Sequence, residues 1–302
     1  MARRLTRWTR PQIRESARTK SPRLARIDPC AFLHRVRELH MIAARVHPLR
    51  RVRRAAGELL DVIFPPRCAV CGRWGDADGR PLCALCSESV SRERLARTCP
   101  VCAADAAPYT ESWDGCVECR DVRRRIGGTV RVGAYRATVG RMLRLYKYHH
   151  REDLEPLLAE WLTDSLAATR WIERVEAVVS VPTHWRRAIS RRFHAADALA
   201  RAVARNLDLP PTGILRRTRG GPHQVGLSVE DRRKNVRGAF ALRSGVKLRR
   251  AKLLLIDDVR TTGATVEECA RVLRRGGAAE VYAGVVARSN WSRFATDAEP
   301  LA

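Results

Sequence analysis

The sequence predicts an α/β protein in which a parallel sheet follows a small cysteine module. Two observations carry this. Strand-like and helix-like segments alternate from residue 130 onward, and eight of the ten cysteines fall between residues 68 and 119 in four Cys-x-x-Cys pairs. Alternating strands and helices pack as a parallel sheet covered on both faces. A third observation locates the chemistry: the apolar run Leu253–Ile256 ends in two adjacent aspartates, followed by a Thr- and Gly-rich turn.

The elements of the α/β region follow in order. Val130–Tyr135 reads as a strand, Leu154–Thr169 as a helix and Ala177–Val181 as a buried strand. Ala195–Leu207 reads as a helix, Lys252–Ile256 as a short apolar strand, Val266–Arg275 as a helix and Val281–Ala287 as a strand. Val266, Cys269, Ala270 and Leu273 share one helical face, which makes Cys269 a core thiol rather than a nucleophile.

The cysteines are spaced Cys68-x2-Cys71-x11-Cys83-x2-Cys86 and Cys99-x2-Cys102-x13-Cys116-x2-Cys119. Two thiolates three residues apart on a tight turn reach one tetrahedral zinc, and a second pair completes it. Eight thiolates fill two sites with no open position, so the metal is structural rather than catalytic. A redox pair would instead be single and placed at a helix start after a strand. The simplest pairing joins the first knuckle with the second and the third with the fourth; an interleaved cross-brace is the alternative. Cys30 has no partner at ligand spacing.

Charge is uneven. The formal net charge is +26, with 16 Lys and Arg against 3 acidic residues in positions 1–56. Residues 57–130 hold 10 against 11, and residues 131–302 hold 32 against 18. A basic surface attracts nucleic acid, phosphate esters or acidic partners. The near-neutral knuckle region is wrong for a zinc-finger reader of duplex DNA. Residues 1–56 read as a basic, disordered extension, with a short helix over Phe32–Val46, and Met41 is an alternative start. The stretch Ala55–Phe64 is amphipathic and is stopped by Pro65-Pro66. No apolar run approaches the ~18 residues of a membrane span, and residues 1–7 have no secretory pattern, so a cytoplasmic location is expected.

The segment Asp257-Asp258-Val259-Arg260-Thr261-Thr262-Gly263-Ala264-Thr265 joins a strand to a helix start. Backbone N–H groups at a helix start favour phosphate, Gly263 permits close approach and the Thr hydroxyls add donors. Thr265 and Glu268 have capping-box spacing. The segment lacks the Gly-Lys-[Ser/Thr] of a Walker loop and the Gly-x-Gly-x-x-Gly of a dinucleotide site. Adjacent aspartates repel each other, so a cation or hydroxyl groups must offset them.

This loop resembles the phosphoribosyl-pyrophosphate (PRPP) motif of type I phosphoribosyltransferases, and the wider chain resembles the ComF family (competence protein F, ComFC-like). The segments are Phe64-Pro65-Pro66-Arg67-Cys68, Tyr146-Lys147-Tyr148, Val179-Ser180-Val181-Pro182, Gln224-x-x-Leu227 and Arg232-x-x-Asn235-Val236-x-Gly238-Ala239-Phe240. The resemblance implies a type I phosphoribosyltransferase domain (Rossmann-like parallel sheet) over residues 129–290, a double zinc ribbon over 57–128, and tails at 1–56 and 291–302. It implies that Asp257 and Asp258 hold the ribose hydroxyls and that Thr261, Thr262, Gly263, Ala264 and Thr265 cradle the 5′-phosphate. Ser180, Val181, Pro182, Thr183 and His184 would form the pyrophosphate loop. Gln224, Arg232 and Asn235 would lie in a closing segment, residues 216–236, hinged at Gly220-Gly221. Structural Zn and PRPP-bound Mg are the implied cofactors. The implied activity is phosphoribosyl transfer to a nitrogen acceptor with release of pyrophosphate. The alternative is a non-catalytic module that binds single-stranded DNA, with DNA-uptake proteins as further partners and Tyr146–Arg151 as a base-stacking run. The chain departs from the family at Arg191-Arg192-Phe193-His194-Ala195, where Arg-Gly-Phe-Asn-Gln is usual; His194 reads as a partly exposed helix-start residue, or else as a substitute hydrogen-bond partner near the pyrophosphate site.

Overall fold

The computed structural model describes residues 67–75, 81–106, 115–120, 124–149, 151–182, 194–219 and 234–289. The chain divides into two units, Met1–Phe64 and Pro65–Ala302, and every described residue belongs to the second. The expected segments Phe32–Val46 and Ala55–Phe64, Cys30, and residues Thr183, His184, Gln224 and Arg232 lie outside the described residues.

Five strands form one wholly parallel sheet in the order β1-β7-β6-β2-β3. They are β1 (Thr129–Ala134), β2 (Ala177–Ser180), β3 (Pro211–Thr212), β6 (Lys252–Arg260) and β7 (Glu280–Arg288). A separate antiparallel hairpin joins β4 (Leu215–Arg217) to β5 (Phe240–Leu242). The longer helices among the described residues are α1 (Ala84–Leu95), α2 (Thr138–Tyr148), α3 (Glu155–Ala167), α4 (Ala195–Asn206) and α5 (Ala264–Arg275).

The unbroken apolar run of β6 follows from burial on both faces. Leu254 and Ile256 enter a core with α2, α3 and α4. Leu253 and Leu255 enter a second core with α5 and the hairpin. Cys269 lies in this second core with no exposed surface, and burial pushes its thiol well up. The strand also runs further than the apolar pattern indicates. Asp257 pairs in register with Val285, Val259 with Ala287 and Arg260 with Arg288, so the two aspartates lie within β6 rather than beyond it. The partner strand β7 continues alongside and supplies the ladder that the apolar pattern does not show.

The first cysteine region is built into this core. Cys68, Val70, Leu82, Cys83 and Val90 pack with Val132, Val139 and Met142. Glu93, near the end of α1, accepts the backbone N–H of Ala134 at 3.1 Å and of Val139 at 3.3 Å, and so satisfies a free donor at the start of α2. Its approach requires glycine at 133, where a Cβ would lie 2.3 Å from the carboxylate oxygen. Ser89 and Thr138 share a 2.7 Å hydrogen bond at the same junction.

Candidate functional site

The eight knuckle cysteines form two tetrads, Cys68, Cys71, Cys83 and Cys86, and Cys99, Cys102, Cys116 and Cys119, with all sulfurs of a tetrad within 4.8 Å of one another. The grouping is the simple pairing and not the cross-brace. Contacts of 3.7 Å join Cys71 to Cys83, Cys102 to Cys116 and Cys116 to Cys119. A tetrahedron with bonds of about 2.3 Å has edges of about 3.8 Å, so the donor set fits zinc. The first knuckle of each tetrad has the same backbone pattern. Cys68 N–H donates to Arg73 O at 2.7 Å and Cys99 N–H to Ala104 O at 2.8 Å, each closing a turn around its pair. In these two knuckles, the residue after the pair is left-handed, Gly72 at φ 71° and Ala103 at φ 57°.

The thiols differ in ionisation. At Cys68 burial works against the thiolate, but backbone N–H groups of Cys71, Cys83 and Val70 outweigh it and bring the pKa down to about 6. At Cys99 a hydrogen bond from Cys102 leads the causes and brings it down to about 4. Burial pushes Cys119 up to about 11. Four thiols this close ionise together only around a cation, which is the electrostatic case for structural zinc here.

At the other end of the molecule's chemistry, β6 carries Asp257 and Asp258 at the carboxyl edge of the sheet. Asp258 N–H donates to Asp257 Oδ1 at 2.9 Å. Lys147, in the last turn of α2, places Nζ 2.7 Å from Asp258 Oδ2, with both side chains less than a fifth exposed. The offset that the aspartate pair requires is therefore supplied by the protein. Burial works against the Lys147 ammonium, but Asp258 outweighs it and holds its pKa above the ordinary value. Asp257 is pushed up to about 7 by burial, then by the charge of Asp258, while Lys147 and Arg217 act the other way.

The loop after β6 turns through Gly263, which is left-handed at φ 77° and stands as the N-cap of α5. The helix begins at Ala264, and Glu267 N–H donates to Gly263 O at 2.9 Å as its first bond. Ala264 N–H donates to Thr262 Oγ1 at 3.3 Å. No side-chain cap involves Thr265, so the capping-box expectation fails. Glu268 instead accepts Gly238 N–H at 2.7 Å and pairs with Arg271 at 2.6 Å. It thus ties Gly238, just before β5, to the helix behind the loop.

The expected pyrophosphate segment begins on the neighbouring strand. Ser180 pairs in register with Ile256, directly ahead of Asp257. Ser180 Oγ donates to Asp197 Oδ1 at 3.0 Å, and Val181 N–H donates to Ile256 O at 2.9 Å. Val181 is buried and Pro182 half-buried. His194 is the N-cap residue of α4, its carbonyl accepting from Asp197 and Ala198. The sheet thus brings together Ser180, Asp257, Asp258 and residues 261–265 at one edge. Lys147, Asp197 and Glu268 are the contributors that the sequence did not mark for these roles. The only signal for Lys147 was its place in Tyr146-Lys147-Tyr148. That segment is the end of a helix: Tyr146 is fully buried and donates to Glu155 at 3.1 Å, which removes it from any base-stacking surface.

Comparison with known proteins finds a double zinc ribbon domain over residues 59–123. The DNA utilization protein YhgH of Escherichia coli O157:H7 is 29% identical over 235 residues, spanning 74% of this chain and 98% of that protein. Competence protein F of Haemophilus influenzae is 27% identical over 210 residues, spanning 68% of this chain and 90% of that one. Among solved structures, the glutamine PRPP amidotransferase of Bacillus subtilis aligns with 47% of this chain and 30% of its own, at 21% identity and a TM-score of 0.33. The adenine phosphoribosyltransferase of Leishmania tarentolae aligns with 48% of this chain and 75% of its own, at 13% identity and a TM-score of 0.32. At those scores the two structural alignments add no weight.

Proposed function

Since the chain belongs to the ComF family, with structural zinc ribbons ahead of a parallel α/β domain, we propose that it binds PRPP-Mg and transfers the phosphoribosyl group to a nitrogen acceptor, releasing pyrophosphate. The supporting observation is the shared edge: Ser180 on β2 is level with Ile256, Asp257 and Asp258 follow it on β6, and the loop 261–265 turns into α5 through a left-handed glycine.

In this reading the carboxylates of Asp257 and Asp258 accept from the ribose hydroxyls. Thr261, Thr262, Gly263, Ala264 and Thr265 surround the 5′-phosphate with N–H and hydroxyl donors at the positive end of α5. Ser180, Val181, Pro182, Thr183 and His184 approach the pyrophosphate, and Gln224, Arg232 and Asn235 belong to the segment that closes over it. Magnesium is a hard cation that takes oxygen ligands, and in this reading it is held mainly through the oxygens of PRPP itself. It would supply charge neutralisation of the leaving pyrophosphate. Excluding water protects the electron-poor C1 centre during transfer.

The test is pyrophosphate release from PRPP and magnesium across a panel of nitrogen acceptors. Acceptor-dependent release, lost in the paired change Asp257→Asn and Asp258→Asn, supports transfer. A second reading is favoured by the names of the relatives and the excess of basic residues: a PRPP-fold module that handles single-stranded DNA. No consumption of PRPP with any acceptor, alongside salt-sensitive binding of single-stranded DNA, would favour that reading.

A further inference from the structure

The second cysteine tetrad is joined by a short run of hydrogen bonds to Arg260, whose side chain packs against the loop 261–265. Pro100 and Val101 lie inside the knuckle Cys99-Pro100-Val101-Cys102. Pro100 O accepts Thr129 N–H at 2.9 Å, and Val101 O accepts the Thr129 hydroxyl at 2.8 Å. The same hydroxyl oxygen accepts from Arg260 Nη1 at 2.8 Å. Thr129 is 2% exposed and Arg260 1%.

Arg260 in turn lies against the loop. A Cβ placed on Gly263 would meet Arg260 Nε at 2.8 Å and Nη2 at 2.9 Å, so the guanidinium packs against the glycine whose left-handed turn starts α5. Arg260 Nη2 also lies 3.8 Å from Glu267 Oε1 in the first turn of that helix. Arg288 donates to the carbonyl of Thr261 from β7. Zinc held by four thiolates carries a net charge of −2, and Cys102 is among the charges that act on Arg260. A buried guanidinium thus stands between an anionic metal centre and the loop.

We propose that the second zinc knuckle holds the phosphate loop in shape through Thr129 and Arg260, which makes both of them positioning residues of the ligand site. The ribbon is then part of the binding machinery and not only a folding nucleus. Its hydroxyl link runs through a single atom: Thr129 Oγ1 donates to the knuckle and accepts from Arg260, and an aliphatic side chain of the same shape can do neither. The ligand side of the inference rests on reading residues 261–265 as a phosphate site; the mechanical side does not.

The test uses the full chain with Thr129→Val, which keeps the shape and removes the hydroxyl, and Thr129→Ser, which keeps the hydroxyl. Amide hydrogen exchange is followed over residues 261–266 and, as a reference, over the centre of β7. Zinc content and PRPP-Mg affinity are measured on the same samples. The expected result for Thr129→Val is at least tenfold faster exchange confined to the loop, at least tenfold weaker PRPP binding and unchanged zinc, with Thr129→Ser close to wild type. Loop exchange at the wild-type rate in Thr129→Val, or acceleration spread equally through β7, would overturn the inference. If wild type binds no PRPP while the loop still loosens in Thr129→Val, the coupling stands and the ligand reading falls.

Discussion

Replacing Lys147 with methionine isolates the ion pair at the sheet edge. The side chain keeps most of its apolar stem, so core packing against α2 is largely retained, while the ammonium 2.7 Å from Asp258 is lost. Breaking a buried pair by removing one partner costs about 3–5 kcal/mol. Here both side chains retain some solvent contact, 18% and 15%, so the cost falls to the bottom of that range or just below it, about 2–3 kcal/mol. For a domain of this size each kcal/mol shifts the melting temperature by about 2–4 °C, which gives a drop of about 4–12 °C at pH 8. The loss depends on pH. Asp257 is already raised to about 7 in the folded protein, so its contribution makes the fold less stable as pH rises from the ordinary carboxylate range toward 7. Without Lys147 the two carboxylates repel more strongly, so that decline steepens and continues to higher pH. Adding Asp258→Asn removes the repulsion and should recover most of the loss. Thermal melts of the two single variants and the double variant between pH 5.5 and 8.5 measure this directly. A Lys147→Met protein that melts within about 1 °C of wild type at pH 8, with the same pH slope, would refute the account of the site's electrostatics.

Further outcomes follow from the same geometry. PRPP affinity should rise from pH 6 to 8 as Asp257 ionises, since a protonated carboxyl has lost acceptor capacity; Asp257→Asn should be weaker and flatter in pH, as calorimetric titration would show. Gly263→Ala forces a Cβ into a left-handed residue and against Arg260, costing about 1–2 kcal/mol from backbone strain alone, and should abolish ligand binding before it abolishes folding, seen by comparing titration with melting. Glu93→Ala leaves the N–H groups of Ala134 and Val139 without their acceptor and should cost about 1–2 kcal/mol in denaturant unfolding. Elemental analysis should find two zinc ions per chain, one for each tetrad, and Cys116→Ser should reduce that to one.

Much of this architecture was legible, and the misses have physical causes. The unbroken Leu253–Ile256 run announced a strand buried on two sides, and the cysteine spacing announced two tetrads. The end of β6 was not legible because pairing with β7, not hydrophobicity, carries it through Asp257 and Asp258 to Arg260. Helix α1 shows no apolar stripe because it buries Val90 alone, and it docks through the carboxylate of Glu93. Thr265 and Glu268 have the spacing of a cap, but a left-handed glycine already starts α5, which frees Glu268 to hold Gly238. Lys147 and Thr129 are distant in sequence from the residues they serve. Nothing local distinguishes either from an ordinary helix-end lysine or strand threonine; only the assembled sheet does.

The central claim is that the edge formed by Asp257, Asp258 and residues 261–265 binds PRPP. The direct measurement is calorimetric titration of PRPP-Mg into the wild-type protein and into the double change Asp257→Asn, Asp258→Asn. Each charge-assisted hydrogen bond to a ribose hydroxyl is worth about 1.5–3 kcal/mol, so the account predicts saturable wild-type binding and a loss of at least tenfold in the variant, with zinc content unchanged. Equal affinity in the two proteins, or no binding by wild type with magnesium present, would contradict it.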